Sequence, residues 1–271
     1  MIYDCFTFFN EFEVLRLRLA ELWDVVDRFV LVEAPLTHAG KPKPLYFAEA
    51  RDDFRAFADK IIHVVVDDLP VSADAWVPER FQRDAIVRGL ADAAEDDWIF
   101  VSDVDEIPRA PVVAEIARSP RSVAGLQMSL SYFKVNFVNI AGSAHMVWAV
   151  ACRRAAMGSP QGVREARISL MRPDFLRSCQ GKAVTIPHAG WHLSYLGNEA
   201  HVRQKVQAFA HQEFNRPDIL DRLDIDRLLA TGDDVFGRDW CRWQVVPLTD
   251  YFPAAIVADP AAYAHLIAAC P

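Results

Sequence analysis

The sequence predicts an α/β fold built on a doubly wound, mainly parallel sheet with a smaller antiparallel portion. Before residue 108, apolar runs typical of strands alternate with segments whose apolar residues follow helical spacing. The strand-like runs cover residues 2–9, 29–32, 61–66 and 98–103. Since parallel neighbours need a crossover connection, which is commonly a helix, this order favours parallel strands with helices on both faces.

The second part of the chain has a different pattern. Residues 125–138 alternate apolar and other side chains, which is typical of antiparallel strands with one open face. A short strand is predicted at 168–171 and another within 185–195, and helical spacing predicts a helix at 199–212. The antiparallel portion of the sheet is therefore expected after residue 108.

Length and composition describe an ordinary globular protein. The 271 residues, 52% of them hydrophobic, suffice for one large α/β domain with a sizeable core. No linker or repeat divides the chain, so residues 1–271 are interpreted as one domain with halves at 1–108 and 109–271. The net charge of −8, without a Lys/Arg block, argues against nucleic acid as a partner.

The expected location is cytoplasmic. The start of the chain lacks the basic segment of a signal peptide, and no apolar run reaches the roughly 18 residues of a membrane span. These features still allow peripheral contact with a membrane. Five scattered cysteines without a C-x-x-C pair are typical of reduced thiols.

The most informative stretch is the apolar run that begins at Trp98 and ends in acids. Asp103 and Asp105 lie two residues apart, so an extended backbone directs both side chains to the same side. Glu106 and Pro108 follow, and proline stops the strand. Carboxylates at the carboxyl edge of a parallel sheet suit a hard divalent cation that also holds phosphate oxygens. A solvated acidic turn is the alternative interpretation.

Several nucleotide-binding and hydrolase motifs are missing. The N-terminal half has no G-x-G-x-x-G, and the chain has neither the P-loop motif nor G-x-S-x-G. A nucleotide crevice in this fold would therefore take its positive charge from a bound cation rather than from a glycine-rich loop.

The chain resembles glycosyltransferase family 17. The resemblance is carried in order by residues 3–11, 32–45, 81–86, 102–108 and 190–194. It implies a GT-A fold, an inverting mechanism and a UDP-sugar donor, with UDP-N-acetylglucosamine expected. The first half would then bind the nucleotide sugar and the second half the acceptor, a glycan, a lipid-linked saccharide or a polysaccharide precursor.

Two departures from the family leave the acceptor open. Animal relatives carry a membrane anchor that is not found in this sequence, and Asp84 stands where many relatives have asparagine.

The resemblance and the acidic turn together suggest a metal and donor site. Asp105 is expected to hold Mn²⁺ or Mg²⁺, with Asp103 binding the ion directly or through water or a ribose hydroxyl. His192 is the predicted third ligand, because an imidazole can bind Mn²⁺ together with carboxylates. Glu33 would accept a hydrogen bond from uracil or ribose, and Arg83 would reach the uracil or the diphosphate. Each of these side chains also has an ordinary structural interpretation.

An inverting transfer needs a carboxylate that accepts the proton of the acceptor hydroxyl. Glu106 and Glu213 are the predicted catalytic residues, beside the further candidates Asp233 and Asp234. A nearby metal would depress the basicity of Glu106, so Glu213, which follows the second-half helix, is favoured. Aromatic side chains that could stack on sugars are Trp76, Trp148 and Trp191.

Two other functions remain open on the sequence alone. A sugar-nucleotide nucleotidyltransferase would also use paired carboxylates and a metal, but it normally has a glycine-rich, basic loop after the first strand. A non-catalytic protein that binds nucleotide sugars or glycans could retain the same fold.

Overall fold

A computed structural model describes residues 1–141 and 145–270. The strands are β1 (Ile2–Thr7), β2 (Arg28–Glu33), β3 (Ile61–Val65), β4 (Trp98–Asp103), β5 (Glu106–Pro108), β6 (Val123–Tyr132), β7 (Phe137–Asn139), β8 (His145–Arg153), β9 (Ala183–Ser194) and β10 (Trp243–Val245). The α-helices are α1 (Phe12–Leu22), α2 (Tyr46–Glu49), α3 (Trp76–Asp84), α4 (Ala110–Ala117), α5 (Pro160–Leu170), α6 (Pro173–Ser178), α7 (Glu199–Ala208), α8 (Pro217–Leu220), α9 (Ile225–Thr231) and α10 (Ala254–Ala258). Segments of 3₁₀-helix cover Arg51–Lys60, Ala85–Gly89, Arg154–Ala156, Gln212–Phe214 and Ala264–Leu266.

The strands form one mixed sheet. Its parallel part has the order β3-β2-β1-β4. Next to β4 lies β8, which is antiparallel to both β4 and β6. On the far side, β9 runs parallel to β6 and antiparallel to β5, and β7 pairs with β10. The predicted α/β fold, with a parallel first half and an antiparallel portion, is confirmed.

Helices cover both faces of the parallel strands. Neighbouring residues in a strand point to opposite faces, and the sheet has a separate apolar cluster on each side. Phe6 and Phe100 pack with Leu15 of α1 in one cluster, whereas Cys5 and Val101 belong to the other. Burial on both faces explains why these strands appear in the sequence as continuous apolar runs.

A buried arginine on α1 fixes the turn between β4 and β5. Arg18 forms an ion pair with Asp4 and donates to the carbonyl oxygens of Asp103, Val104 and Glu106 at 2.9, 3.1 and 2.9 Å. Its side chain is fully buried. Since carbonyl groups that leave the ladder inside a protein need donors, this guanidinium stabilises the acidic turn in one conformation.

The predicted strand at 168–171 is wrong, because these residues lie at the end of α5 or just beyond it. The helix begins after Ser159, whose hydroxyl accepts from Gly162 N at 3.1 Å, with Pro160 as its first residue. The first turn is also held by Asp84, which accepts from Gln161 N at 2.8 Å. The strand predicted within 185–195 is confirmed as β9, and the helix predicted at 199–212 as α7, which ends at Ala208. The stretch 125–138 overlaps β6 and β7, but β6 is buried on both faces and has no open one.

The two predicted halves share the sheet, because β4 of the first pairs with β8 of the second. Among the described helices, none combines the length and apolar character needed to span a membrane.

Candidate active site

A cavity of about 820 Å³ opens at the carboxyl ends of β1 and β4. This is the edge at which ligands bind in open α/β sheets. Residues from both halves of the chain line it, including Thr7, Arg83, Asp103, Arg164, His192 and Lys205.

Asp103 lies at the end of β4 between two guanidinium groups. Arg83 Nη2 is 2.8 Å from its Oδ1, and Arg164 Nη2 is 2.9 Å from its Oδ2. Burial opposes ionisation, but Arg164 and Arg83 together hold the pKa of Asp103 well below its usual range. Both oxygens of this carboxylate are therefore already engaged by cations.

Glu106 is fully buried and serves the structure of the turn. Its two oxygens receive Arg164 Nη1 and Nη2 at 2.7 and 2.6 Å, and Oε2 also accepts from Asp103 N at 2.9 Å. Such a two-point ion pair orients Arg164 toward the cavity. A carboxylate held in this way has no free oxygen for an acceptor hydroxyl, so the geometry does not support the predicted catalytic role of Glu106.

Asp105 faces a different set of partners. Lys205 Nζ lies 2.7 Å from Oδ2, and it also lies 3.0 Å from Glu11 Oε1. His192 Nε2 is 3.5 Å from Asp105 Oδ1, because the β5–β9 register places His192 opposite Glu106. Burial opposes ionisation, yet the Lys205 ammonium lowers the pKa of Asp105. Asp103 and Asp105 are therefore held by different cations.

Burial favours the neutral form of the His192 imidazole. Burial, the largest influence, lowers its pKa below the usual 6.5, although Asp105 and Glu106 act in the opposite direction. Its ring packs edge-on against Trp148, with centroids 4.3 Å apart. Among the described residues Nδ1 has no hydrogen-bond partner. Neutral imidazole is the form that binds metal ions.

The residues fit a divalent cation only in part. In residues 1–141 and 145–270, no three His, Cys, Asp or Glu side chains lie together as a metal-binding group. The predicted set of Asp103, Asp105 and His192 is therefore not assembled. Asp105 Oδ1 and His192 Nε2 do form a pair of ligand atoms, and Mn²⁺ or Mg²⁺ sites often combine one or two protein ligands with phosphate oxygens and water.

Glu33 does not reach the cavity. Its buried carboxylate accepts from the amides of Phe47 and Ala48 at the start of α2, at 3.1 and 3.0 Å, and lies 2.8 Å from His63 Nε2. This is a helix-terminus contact, which leaves the side chain no access to a nucleotide.

Glu213 lies outside the cavity lining. It is 57% exposed and pairs with His211 Nδ1 at 2.6 Å. Partial burial opposes the effect, but the hydrogen bond from His211 lowers the pKa of Glu213. The other base candidates are also paired, Asp233 with Arg227 and Asp234 with Arg238. None of these three carboxylates lines the cavity as described.

Two of the three predicted stacking residues do line the cavity. Trp76 and Trp148 are part of its wall. Trp191 is almost fully buried in the core and donates from its indole nitrogen to Tyr251 O at 3.0 Å.

The charged cavity residues that sequence reasoning missed include Arg164, Glu165, Arg167 and Lys205. The first three lie on α5, which the sequence analysis did not recognise as a helix. The Ser159-Pro160 start signal was present in the sequence and could have located it.

Comparison with known proteins places these features in a family. The family model described as glycosyltransferase family 17 matches residues 1–138, which includes the acidic turn. The chain belongs to glycosyltransferase family 17. The predicted membership of a family of glycosyltransferases is thereby confirmed.

Curated relatives in family 17 share a limited segment with this chain. The β-1,4-mannosyl-glycoprotein 4-β-N-acetylglucosaminyltransferases of Homo sapiens and Rattus norvegicus are each 35% identical over 107 residues. The match covers 36% of this chain and 20% of either relative, so it spans a fifth of their length.

Solved structures resemble this family 17 chain weakly. A mannosyltransferase from Pyrobaculum calidifontis, in complex with GDP-Man and Mn²⁺, has a TM-score of 0.42 at 11% identity, covering 76% of this chain and 61% of that one. Glucosyl-3-phosphoglycerate synthase from Mycobacterium tuberculosis, in complex with Mn²⁺, UDP-glucose and glycerol 3-phosphate, has a TM-score of 0.39 at 13% identity, covering 77% and 78%. Their donors and metals are properties of those proteins.

Proposed function

We propose that this family 17 protein is an inverting glycosyltransferase that moves a sugar from a UDP-sugar, expected to be UDP-N-acetylglucosamine, to an acceptor hydroxyl. The observation that carries the proposal is the pair formed by Asp105 Oδ1 and His192 Nε2, 3.5 Å apart at the cavity edge. A carboxylate and a neutral imidazole at this spacing suit one divalent cation.

Asp105 and His192 would hold Mn²⁺ or Mg²⁺. When bound, such an ion neutralises charge that develops on a departing diphosphate. Lys205 contacts the other oxygen of Asp105, so Oδ1 is the oxygen that remains for the ion. In this arrangement Asp103 is a partner of Arg83 and Arg164 rather than a direct ligand.

Cationic side chains of the cavity would bind the diphosphate as well. Arg83 and Arg164 are occupied by carboxylates, but Arg80 and Arg167 form no ion pair with any carboxylate in the described part of the chain. The Arg167 guanidinium lies 5.9 Å from the centroid of Trp148. Burial and the neighbouring Arg164 lower the pKa of Arg167, which a phosphate anion would reverse.

The acceptor is proposed as a class of molecules rather than as one compound. Trp76 and Trp148 offer aromatic faces for sugar rings, which suits a glycan or a lipid-linked saccharide. The cytoplasmic location and peripheral membrane contact remain predictions from the sequence.

Thermal unfolding in the presence of ligands tests the donor and the metal together. UDP at about a hundred times its Kd should stabilise the fold by about 2.7 kcal/mol, which is a shift of roughly 5–10 °C. We expect this shift with UDP plus Mn²⁺, a smaller one without the metal, and a loss of the metal effect in Asp105→Asn.

Turnover separates the proposed activity from its alternatives. Release of UDP from UDP-N-acetylglucosamine is expected for a transferase. UTP consumption with N-acetylglucosamine 1-phosphate would instead identify a nucleotidyltransferase. Binding of UDP without either reaction would identify a non-catalytic protein, and absence of UDP binding would overturn the proposal altogether.

A further inference from the structure

Glu165 differs from every other carboxylate of the cavity. Six described carboxylates line it, and five of them form ion pairs. These five are Glu11, Glu79, Asp103, Asp105 and Glu106. Glu165 lies on the exposed side of α5 and has no cationic partner among the described residues. We infer that Glu165 is the general base that accepts the proton of the acceptor hydroxyl, an inference that rests on the proposed function.

A neighbouring amide fixes the position of this carboxylate. Arg83 Nη1 donates to Gln161 Oε1 at 2.7 Å, and arginine can only donate. The oxygen of the Gln161 amide must therefore face Arg83, which turns Nε2 toward Glu165. That nitrogen donates to Glu165 Oε1 at 3.0 Å. Gln161 thus connects Glu165 to the Arg83–Asp103 pair and leaves Oε2 available for an acceptor hydroxyl.

The free oxygen matters because a general base needs a lone pair within hydrogen-bonding reach of the proton that it accepts. An arginine or lysine paired to a carboxylate stabilises its charge and lowers its basicity. Paired cations lower the pKa of Asp103 and of Asp105, and Glu106 is occupied at both oxygens. Glu165 has no such cation among the described residues.

In the proposed transfer, UDP takes the electron pair of the broken bond and Glu165 takes the proton. The acceptor oxygen forms a bond to the anomeric carbon while the bond from that carbon to the diphosphate oxygen breaks. The electron pair of the breaking bond leaves with UDP, and the hydroxyl proton passes to the Glu165 carboxylate. Proton transfer of this kind is worth about 10²–10⁴-fold in rate.

The substitution Glu165→Gln tests the inference, because it keeps the shape of the side chain and removes its basicity. UDP release from UDP-N-acetylglucosamine is measured with p-nitrophenyl β-D-mannoside or with water as the acceptor. We expect kcat to fall by about 10²–10⁴-fold, with the KM for the donor and the UDP-induced thermal shift unchanged. Glu165→Asp should retain part of the lost rate.

A matched control is Glu115→Gln on α4. Glu115 is exposed and lies beside Trp98, at the opposite end of β4 from the acidic turn. Its substitution should leave both kcat and UDP binding as in the wild type.

The outcomes separate the two proposals. Wild-type kcat in Glu165→Gln, or a comparable loss in Glu213→Gln instead, would overturn the role of Glu165 and leave the proposed function intact. A loss of UDP binding along with kcat would show that Glu165 supports the donor site and is not the base. A wild-type protein that binds no UDP and releases none would overturn the proposed function, and this inference with it.

Discussion

Lys205 Nζ lies 2.7 Å from Asp105 Oδ2 and joins a helix of the second half to the acidic turn of the first. The same ammonium contacts Glu11 at the start of α1. Burial disfavours this charge, but Asp105 and Glu11 raise the pKa of Lys205 above its usual range. One cation therefore compensates two carboxylates and holds α7 beside the cavity.

Lys205→Met is expected to destabilise the fold strongly. The substitution would leave the buried carboxylates of Asp105 and Glu11 without their cation. Loss of one partner of a buried ion pair costs about 3–5 kcal/mol. Urea unfolding at pH 7 measures the difference. Mn²⁺ should recover part of the lost stability, because a divalent cation can then compensate Asp105.

The control for this substitution is Lys182→Met, since Lys182 is exposed. A change of less than about 0.5 kcal/mol is expected there. If Lys205→Met were as stable as the wild type, the ion pair would not hold α7 in solution.

The parallel strands β1 to β4 could be predicted because their signals are local. Phe6 and Phe100 lie in apolar runs, and burial on both faces of the sheet requires such runs. Helix α5 was missed because the apolar residues at 168–171 resemble a short strand. In the structure, Ser159 and Asp84 hold the first turn of this helix, which packs beside β8.

The site could be predicted in outline from the acidic turn and the resemblance to the family. Asp105 and His192 were both expected at the cavity, and they do lie there. The pairing of Asp103 with Arg164 could not be foreseen, because it joins residues 61 positions apart through two elements. Glu33 was placed correctly at the end of β2, but the amides of α2 that occupy it come from the following segment.

The stability of the protein should fall as the pH drops below neutrality, partly through His192. Burial lowers the pKa of this histidine in the folded state, so between that value and about 6.5 the unfolded chain binds more protons. Stability is then fully present above pH 6.5 and is lost as the pH falls toward the folded pKa. A single histidine contributes a slope of at most about 1.4 kcal/mol per pH unit.

His192→Gln should remove part of this slope, measured by urea unfolding from pH 7.5 to 5.5. His38, whose pKa burial also lowers, accounts for a further part. The control His265→Gln alters an exposed residue and should retain the wild-type slope. An unchanged slope in His192→Gln would mean that folding does not lower the pKa of this imidazole.

Metal affinity should distinguish the two acids of the turn. Asp105→Asn and His192→Ala are each expected to weaken Mn²⁺ binding in the presence of UDP by at least about tenfold. Asp103→Asn should weaken it less, because the guanidinium groups already occupy that carboxylate. Free Mn²⁺ can be followed by electron paramagnetic resonance, and a larger loss in Asp103→Asn would make Asp103 the ligand instead.

The last prediction concerns the glycine that lets β9 approach β5. Gly190 pairs with Pro108, and a Cβ at this position would collide with the carbonyl group of Ile107. Gly190→Ala should therefore cost about 1–3 kcal/mol, as overpacking does elsewhere. Gly158→Ala is the matched control, since no atom lies within 4 Å of a Cβ there.

The same collision should also weaken metal binding. His192 follows Gly190 by two residues on the same strand, so displacement of β9 from β5 moves Nε2 away from Asp105. Gly190→Ala is thus expected to lose Mn²⁺ affinity together with stability, whereas Gly158→Ala keeps both. Wild-type Mn²⁺ affinity in a destabilised Gly190→Ala protein would show that the distance between these two side chains does not control metal binding.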